Sequence, residues 1–148
     1  MKDTHNLKLE DQLCFAIYST SLQITQSYKP LLSELNITYP QFLVLLVLWE
    51  QDGVNLKTIC GRLRQKPGAL TPVIKRLESL GFLRREPSLE DERSIRICLT
   101  NEGNALKEKA KAVRDSVASV WTENEDSALF DQLAKLRESL SDDEEVSC

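Results

Sequence analysis

The amino-acid sequence predicts a single, mainly helical domain of the α+β class, with a small two-stranded hairpin near its middle. Over most of the 148 residues, apolar side chains recur every three or four positions, which is typical of amphipathic helices. Two short segments, at about 83–86 and 94–99, instead have the composition of strands. A chain of this length forms one ordinary domain, so we treat residues 1–148 as one folding unit.

Composition excludes several classes of protein. The longest apolar run, Phe42 to Trp49, has eight residues, far fewer than a membrane span needs, and the N-terminus has no stretch that resembles a signal peptide. We therefore expect a cytoplasmic protein without a membrane partner. The four cysteines include no CxxC pair and there is one histidine, so we expect no metal, no other cofactor and no disulfide framework. The cysteines are Cys14, Cys60, Cys98 and Cys148, and each is by default a buried or inert thiol.

The basic residues are concentrated in one segment. Residues 57–96 carry ten Lys and Arg against five Asp and Glu, whereas the rest of the chain carries nine against eighteen. A compact basic segment on an acidic body indicates that nucleic acid docks there. Because the same segment contains a helix, a turn, a second helix and two strands, it predicts a winged helix-turn-helix that binds double-stranded DNA. We place this unit at about residues 53–100.

The two helices before this unit have clear sequence signals. Four apolar residues at helical spacing predict an amphipathic first helix over about residues 8–28, which Pro30 ends or interrupts. Thr38 and Gln41 have the spacing of a capping box, and the helix that follows them continues to Glu50. The four apolar residues of the first helix are Leu9, Leu13, Ile17 and Ile24.

The helix-turn-helix is predicted from caps and stops. Asn55 caps a short helix that reaches about Arg64, and residues 65–68 form the turn. The second helix runs from about Ala69 to Leu80, which places Pro72 at the fourth helical position, the last whose N–H is free.

One face of this second helix is typical of a recognition helix. Any solvated helix face carries charges, but this one has no acidic residue except Glu78 at its edge. Its small N-terminal residues allow close approach to a groove, and recognition helices read bases with their N-terminal residues. The residues expected to contact DNA are Ala69, Thr71, Pro72, Lys75 and Arg76.

The hairpin is predicted to form the wing. The strands Leu83–Glu86 and Ser94–Leu99 are joined by a loop that is longer than a tight turn needs. Asp91 and Arg93 can hold each other, which would direct Arg93 toward a narrow minor groove. Alternation in the second strand is expected to turn Cys98 outward.

The C-terminal part predicts dimerisation. Thr100 caps a long helix to about Trp121, and a last helix begins near Ser127. Leucines at positions 129, 133, 136 and 140 form a heptad-like stripe on this last helix. The helices of about residues 7–35 and 101–140 have more apolar surface than one small winged helix covers, so we expect a homodimer. Its recognition helices would lie about 34 Å apart. Residues 141–148 form an acidic tail.

Four short sequence motifs, together with this order of secondary-structure elements, resemble the MarR family of winged-helix regulators. They are Leu70–Pro72, Lys75–Glu78, Asp91–Arg93 and Leu99–Gly103, and the resemblance extends from about residue 7 to 140. It implies a homodimer that represses genes by occupying a pseudo-palindromic operator.

Within that family, the chain is similar to the OhrR group, the organic hydroperoxide resistance regulators. The similarity is carried by Leu13–Ser21, Tyr28 and Thr38–Tyr39. It implies that Cys14 is the residue that organic hydroperoxides oxidise, and that Tyr28 and Tyr39 of the partner subunit hydrogen-bond to it. A thiolate that attacks a peroxide becomes a sulfenic acid.

The chain also departs from this group. Residues 116–120 contain no cysteine where two-cysteine members have a resolving one, so the chain resembles the one-cysteine type, whose sulfenate a low-molecular-weight thiol traps. Cys148 is a candidate substitute, and Cys98 beside Arg96 a candidate separately reactive thiol. Residues 66–69 differ from the usual acidic residue, serine, glycine and threonine, which indicates a different operator.

The same residues are compatible with other functions. The chain could be a MarR-type regulator of a phenolic or drug-like ligand, or a broader redox or virulence regulator. A thiol peroxidase using Cys14 is a further alternative, but no Arg or His motif surrounds that cysteine. We therefore expect no enzyme. A nonspecific architectural protein would bind DNA without sequence preference.

Overall fold

The computed structural model describes residues 7–91, 93–118 and 123–141. A short 3-10 turn at Leu9–Asp11 precedes six α-helices and three strands of these residues. In chain order they are α1 (Leu13–Ser33), α2 (Tyr39–Glu50), β1 (Val54–Asn55), α3 (Leu56–Leu63), α4 (Pro67–Ser79), β2 (Leu83–Pro87), β3 (Ile95–Leu99), α5 (Asn101–Ala118) and α6 (Glu123–Ser141). The mainly helical fold with a winged helix-turn-helix is confirmed.

The α2 helix forms the centre of the core. Its start is the predicted capping box: Thr38 accepts a hydrogen bond from the Gln41 backbone, and the Gln41 side chain accepts one from the Thr38 N–H. The helix is apolar nearly all round, and Leu45 and Leu48 are fully buried. At its end the Trp49 indole N–H donates to the Gly103 carbonyl at 2.9 Å, which ties α2 to α5.

The prediction that Pro30 ends or interrupts α1 is wrong. The helix continues through Pro30 to Ser33. Proline removes only one backbone donor, and the last turn is held by burial of Leu32 and by its carbonyl, which accepts from the Ile37 N–H. Tertiary packing therefore outweighs the local cost. The N-terminal end also differs, since α1 begins at Leu13 and not near residue 8.

The helix-turn-helix follows the predicted caps with one correction. Asn55 caps α3 by accepting from the Thr58 N–H at 2.9 Å. However, α4 begins at Pro67, two residues before the predicted start at Ala69. Pro67 takes the first helical position, where its missing N–H costs nothing, and Pro72 therefore lies inside the helix and not in its first turn.

The wing belongs to a three-stranded antiparallel sheet with the order β1-β3-β2. The two-residue strand β1 is too short to be predicted from sequence alternation. Gly81 has a φ of +85° at the end of α4, a left-handed conformation that glycine adopts readily and that stops the helix. A side chain at Gly103 would clash with the Phe82 carbonyl oxygen, so glycine allows α5 to approach the start of the wing.

The C-terminal helices are partly as predicted. Thr100 caps α5 by accepting from the Gly103 N–H at 3.1 Å. The predicted end of that helix at Trp121 lies outside the described residues. Of the predicted acidic tail, residues 141–148, only Ser141 is described, and it ends α6. The α6 helix begins at Glu123, earlier than the predicted Ser127. No helix in the described ranges is long and apolar enough to cross a membrane.

Candidate redox site and nucleic-acid interface

Cys14 lies in the first turn of α1 and is exposed. Its neighbours along the helix, Leu13, Phe15 and Ile17, are also exposed although they are apolar. The thiol is therefore accessible on an apolar surface, which is a suitable approach for an organic molecule.

Tyr28 and Tyr39 form an aromatic cluster at the other end of α1. Their ring centroids are 4.9 Å apart, and Phe42 lies 5.9 Å from Tyr28 and 6.3 Å from Tyr39. Burial raises the pKa of both phenols, and for Tyr39 the neighbouring Tyr28 raises the pKa further. Both tyrosines are thus neutral hydroxyl donors at neutral pH.

The structure brings the two tyrosines together but keeps Cys14 of the same chain away from them. Cys14 and Tyr28 are fourteen residues apart on one continuous helix. A rise of 1.5 Å per residue separates their backbones by about 21 Å. A thiol–phenol hydrogen bond at this site therefore requires two chains.

A large apolar surface is exposed on α1 and α6. Large apolar surfaces on soluble proteins mark interaction sites. In α6, every described side chain from residue 128 onward is exposed or only half-buried. The exposed residues of the two helices are Leu13, Phe15, Ile17, Tyr18, Leu22, Leu129, Phe130, Leu133 and Leu140.

The predicted recognition face of α4 is mostly exposed. Ala69, Pro72, Lys75 and Arg76 all face solvent, while the opposite stripe of the helix is buried. Thr71 differs, because it is half-buried and its hydroxyl donates to the Pro67 carbonyl at 2.8 Å. Thr71 can therefore offer only an acceptor to a ligand.

The wing loop is held by Asp91. Its carboxylate accepts from the Arg93 backbone N–H at 3.0 Å, and its carbonyl accepts from the Ser94 N–H at 3.0 Å. The predicted Asp91–Arg93 contact is thus made through the backbone of Arg93. The arginine side chain stays exposed at the loop.

The prediction that Cys98 is turned outward and accessible is wrong. Cys98 does share a sheet face with Arg96, but it is only 4% exposed. Glu86 covers it, with a carboxylate oxygen 3.7 Å from the thiol sulfur. The Glu86 carboxylate in turn accepts hydrogen bonds from Arg84 and Arg96. Burial, and then Glu86, raise the pKa of the Cys98 thiol, which disfavours a reactive thiolate.

The other two cysteines are Cys60 and Cys148. Cys60 is fully buried in the core, in agreement with the default expectation of a buried thiol. Cys148 lies outside the described residues. Among the residues that the structure describes, no cluster of His, Cys, Asp and Glu could hold a metal ion.

Sequence reasoning missed a groove between α2 and α5. Apolar residues form its floor, and three cations from one side of α5 form its rim. The signal was present in the sequence as basic residues four and three positions apart on a predicted helix. The lining residues are Phe42, Leu46, Trp49, Glu50, Lys107, Ala110, Lys111 and Arg114.

Comparison with known proteins agrees with this architecture. The family model described as transcriptional regulator SarA/Rot matches residues 26–110. The organic hydroperoxide resistance transcriptional regulator of Bacillus subtilis is 51% identical over 105 residues, which are 71% of each chain. The HTH-type transcriptional regulator MgrA of Staphylococcus aureus is 36% identical over 127 residues, 85% of each chain.

Solved structures match over most of the chain. The structure of reduced AbfR bound to DNA has a TM-score of 0.74 and 36% identity, and covers 89% of this chain and 94% of AbfR. The crystal structure of AbfR of Staphylococcus epidermidis has a TM-score of 0.72 and 34% identity, with 89% and 92% covered. The chain belongs to the SarA/Rot family of transcriptional regulators, MarR-like winged-helix proteins that are not enzymes.

Proposed function

We propose that this protein is a dimeric, sequence-specific transcriptional repressor that senses organic hydroperoxides by oxidation of Cys14 and then releases DNA. The observation that carries the proposal is the separation between the exposed Cys14 and the Tyr28–Tyr39 pair. A symmetric dimer would bring each cysteine to the partner's tyrosines and complete two equal sites.

Dimerisation is supported by the unpartnered surfaces of α1 and α6. Both helices expose apolar side chains that a single chain leaves uncovered. Burial of apolar area is a main driving force of protein association. A two-fold arrangement would also present two recognition helices to successive major grooves.

DNA binding is supported by the exposed face of α4 and by the basic segment around it. Lys75 and Arg76 lie next to the small residues Ala69 and Pro72, so cations and close-approach positions share one surface. The related AbfR has been solved bound to DNA. We expect an operator made of two half-sites about one helical turn apart.

The chemistry at Cys14 is a two-electron oxidation of sulfur. The thiolate attacks the terminal oxygen of the hydroperoxide, the O–O bond breaks, and an S–O bond forms. The peroxide is reduced to its alcohol, and the alkoxide takes up the proton that the thiol released. Neutral phenols at the partner's Tyr28 and Tyr39 can donate to the thiolate and hold it in place.

Release of DNA follows from the position of the sulfur. A sulfenic acid at Cys14 can condense with a low-molecular-weight thiol to give a mixed disulfide and water. The bulky adduct would push the partner's tyrosines aside at the junction of α1 and α2. Because this junction also positions the helix-turn-helix, the recognition helix would move with it. The relatives support such chemistry, since AbfR has been solved in reduced, overoxidised and disulfide forms.

The experiment is fluorescence anisotropy on DNA from the region upstream of the gene, at fixed salt. Cumene hydroperoxide should release the wild-type protein and dithiothreitol should restore binding, whereas Cys14→Ser should bind and ignore the peroxide. Tight binding that ignores peroxide in both proteins would reject the redox function and leave a regulator of another ligand.

A further inference from the structure

The start of α4, residues 67–72, exposes an apolar surface. Its exposed residues are Gly68, Ala69 and Pro72, and none of them has a side chain with a hydrogen-bonding atom. Thr71 is the one residue of this segment with a polar side chain, and it is half-buried. Recognition helices read bases with their N-terminal residues. The segment of α4 that would read bases therefore offers mainly carbon atoms.

The hydroxyl of Thr71 is already used as a donor. It donates to the Pro67 carbonyl at 2.8 Å, so only its acceptor lone pairs remain for a base. Guanine presents N7 and O6 in the major groove, and both are acceptors. The start of α4 therefore has no side-chain donor that could read guanine. Exposed donors for guanine or phosphate lie further along the helix, on Lys75 and Arg76.

A thymine–adenine pair fits this surface best. Thymine is the one base with a methyl group in the major groove, and apolar side chains contact that methyl group. The adenine of the pair presents an amino donor, which suits the remaining acceptor of Thr71.

The spacing of the two exposed side chains also suits stacked base pairs. Ala69 and Pro72 are three residues apart, so they lie on the same face of α4. Their backbones are separated by about 4.5 Å along the helix axis. Base pairs of duplex DNA are stacked about 3.4 Å apart. The two side chains can therefore meet methyl groups at neighbouring base pairs.

We propose that Ala69 and Pro72 determine operator specificity by contacting the methyl groups of thymines at two neighbouring base pairs of each half-site. Lys75 and Arg76 then supply the hydrogen-bond donors at the bases or phosphates beyond these pairs. This proposal rests on the proposed function, because it requires α4 to enter the major groove.

An apolar contact of this kind has a recognisable size and salt dependence. Burial of one methyl group strengthens binding about fourfold. The contact involves no charge, so the loss on removal of a thymine methyl should be the same at every salt concentration. Removal of a cation that contacts phosphate would instead change the slope of affinity against salt.

The test is fluorescence anisotropy of the full-length, reduced protein on operator duplexes that differ by one base. Footprinting in the region upstream of the gene first locates the operator. Each thymine of one half-site, on both strands, is then replaced by deoxyuridine, which lacks only the methyl group. Where binding responds, the thymine–adenine pair is also replaced by cytosine–guanine and by 5-methylcytosine–guanine, which returns a methyl group to the same place in the groove.

Two variants remove the proposed contacts. Pro72→Ala removes ring carbons from the exposed surface and keeps α4 folded, since alanine favours helix more than proline does. Ala69→Gly removes the other apolar contact. Ser79→Ala is the matched control, because Ser79 is exposed on the same helix about 15 Å beyond Ala69. Circular dichroism checks the fold of all three variants.

We expect deoxyuridine to weaken wild-type binding about fourfold at each of two neighbouring pairs. At these pairs 5-methylcytosine should bind about fourfold more tightly than cytosine. Pro72→Ala should lose the response at one pair, Ala69→Gly should lose it at the other, and Ser79→Ala should keep both.

Two results would overturn the proposal. One is a wild-type protein that binds its operator specifically but is indifferent to deoxyuridine at every position of the half-site. The other is a response that both Pro72→Ala and Ala69→Gly retain in full, since the methyl groups would then act through other residues or through the shape of the DNA.

Failure of the proposed function is recognised separately. If the protein binds the upstream DNA no more tightly than unrelated DNA of the same length and at the same salt, sequence-specific repression and methyl recognition are both wrong. Specific binding without a response to deoxyuridine rejects methyl recognition alone. A failure of peroxide to release DNA rejects the redox function alone, because every measurement of this test uses reduced protein.

Discussion

The ring of Tyr28, near the end of α1, lies 4.9 Å from the ring of Tyr39, at the first residue of α2. The capping box at Thr38 fixes the start of α2 and with it the backbone of Tyr39. The pair is therefore formed within each chain. Because the pair lies far from Cys14 of the same chain, the candidate redox site needs Cys14 from one chain and the tyrosines from another.

Tyr28→Phe and Tyr39→Phe should each slow the oxidation of Cys14 by roughly tenfold. Each change removes one hydroxyl that can donate to the thiolate but keeps the ring, and a hydrogen bond to a charged group contributes about 1.5 kcal/mol or more. The rate is measured by trapping the sulfenic acid. The DNA affinity of the reduced variants should equal that of the wild type, and a loss of affinity would assign the tyrosines a structural role instead.

Arg76→Ala should weaken operator binding by roughly tenfold or more and reduce its dependence on salt. The side chain is exposed on α4, the proposed recognition helix, and cations of recognition helices contact bases or phosphates. Anisotropy at several salt concentrations measures both effects. Lys109→Ala removes a charge of the same sign from α5 and should leave binding unchanged; equal losses in the two variants would contradict this placement of the recognition helix.

Gly103→Ala should lower the free energy of unfolding by about 2 kcal/mol, because the new methyl group overlaps the Phe82 carbonyl. Urea unfolding measures the change. Gly61→Ala is the matched control, since no atom lies within 4 Å of the added carbon in α3. It should be neutral or slightly stabilising, as alanine favours helix more than glycine does. Equal destabilisation of both variants would contradict the close contact.

Glu86→Gln should lower the midpoint of thermal unfolding at neutral pH. The midpoint of the variant should also change less with pH in the acid range than that of the wild type. Hydrogen bonds from Arg84, and then from Arg96, hold the pKa of Glu86 below its ordinary value. The ionised Glu86 side chain therefore stabilises the fold fully above the ordinary carboxyl pKa. This stabilisation is lost as the pH falls through the lowered pKa of Glu86 in the folded protein. The midpoints of wild type and variant should converge in acid. Glu90→Gln, a matched change in the wing loop, should follow the wild type throughout, and parallel curves for Glu86→Gln would contradict the linkage.

The helix starts that carry a capping side chain were the features best predicted from the sequence. Thr38, Asn55 and Thr100 each accept a hydrogen bond from a backbone N–H within the next three residues, so the signal and the contact are both local. The prolines were predicted less well. At Pro30 the helix continues, since burial of neighbouring side chains outweighs the loss of one donor. Pro72 lies deeper in α4 than predicted, because that helix begins at Pro67.

Long-range contacts explain the other differences. Cys98 is buried because Glu86, on the neighbouring strand, lies over it, and alternation within one strand cannot reveal that cover. The groove on α5 depends on the approach of α2, which the sequence does not specify. The roles of Cys14 and the two tyrosines came from the resemblance and stay predictions, although the ring contact of the tyrosines is now observed.

The most direct test of the shared site is a mixed dimer. One subunit carries Cys14→Ser and the other carries Tyr28→Phe with Tyr39→Phe, so neither homodimer has an intact site. If each cysteine meets the partner's tyrosines, the mixed dimer regains one wild-type site, and its tyrosine-variant subunit should form sulfenic acid at the wild-type rate. A rate as slow as that of the tyrosine-variant homodimer would contradict the account, since it would show that Cys14 does not use the tyrosines of the other chain.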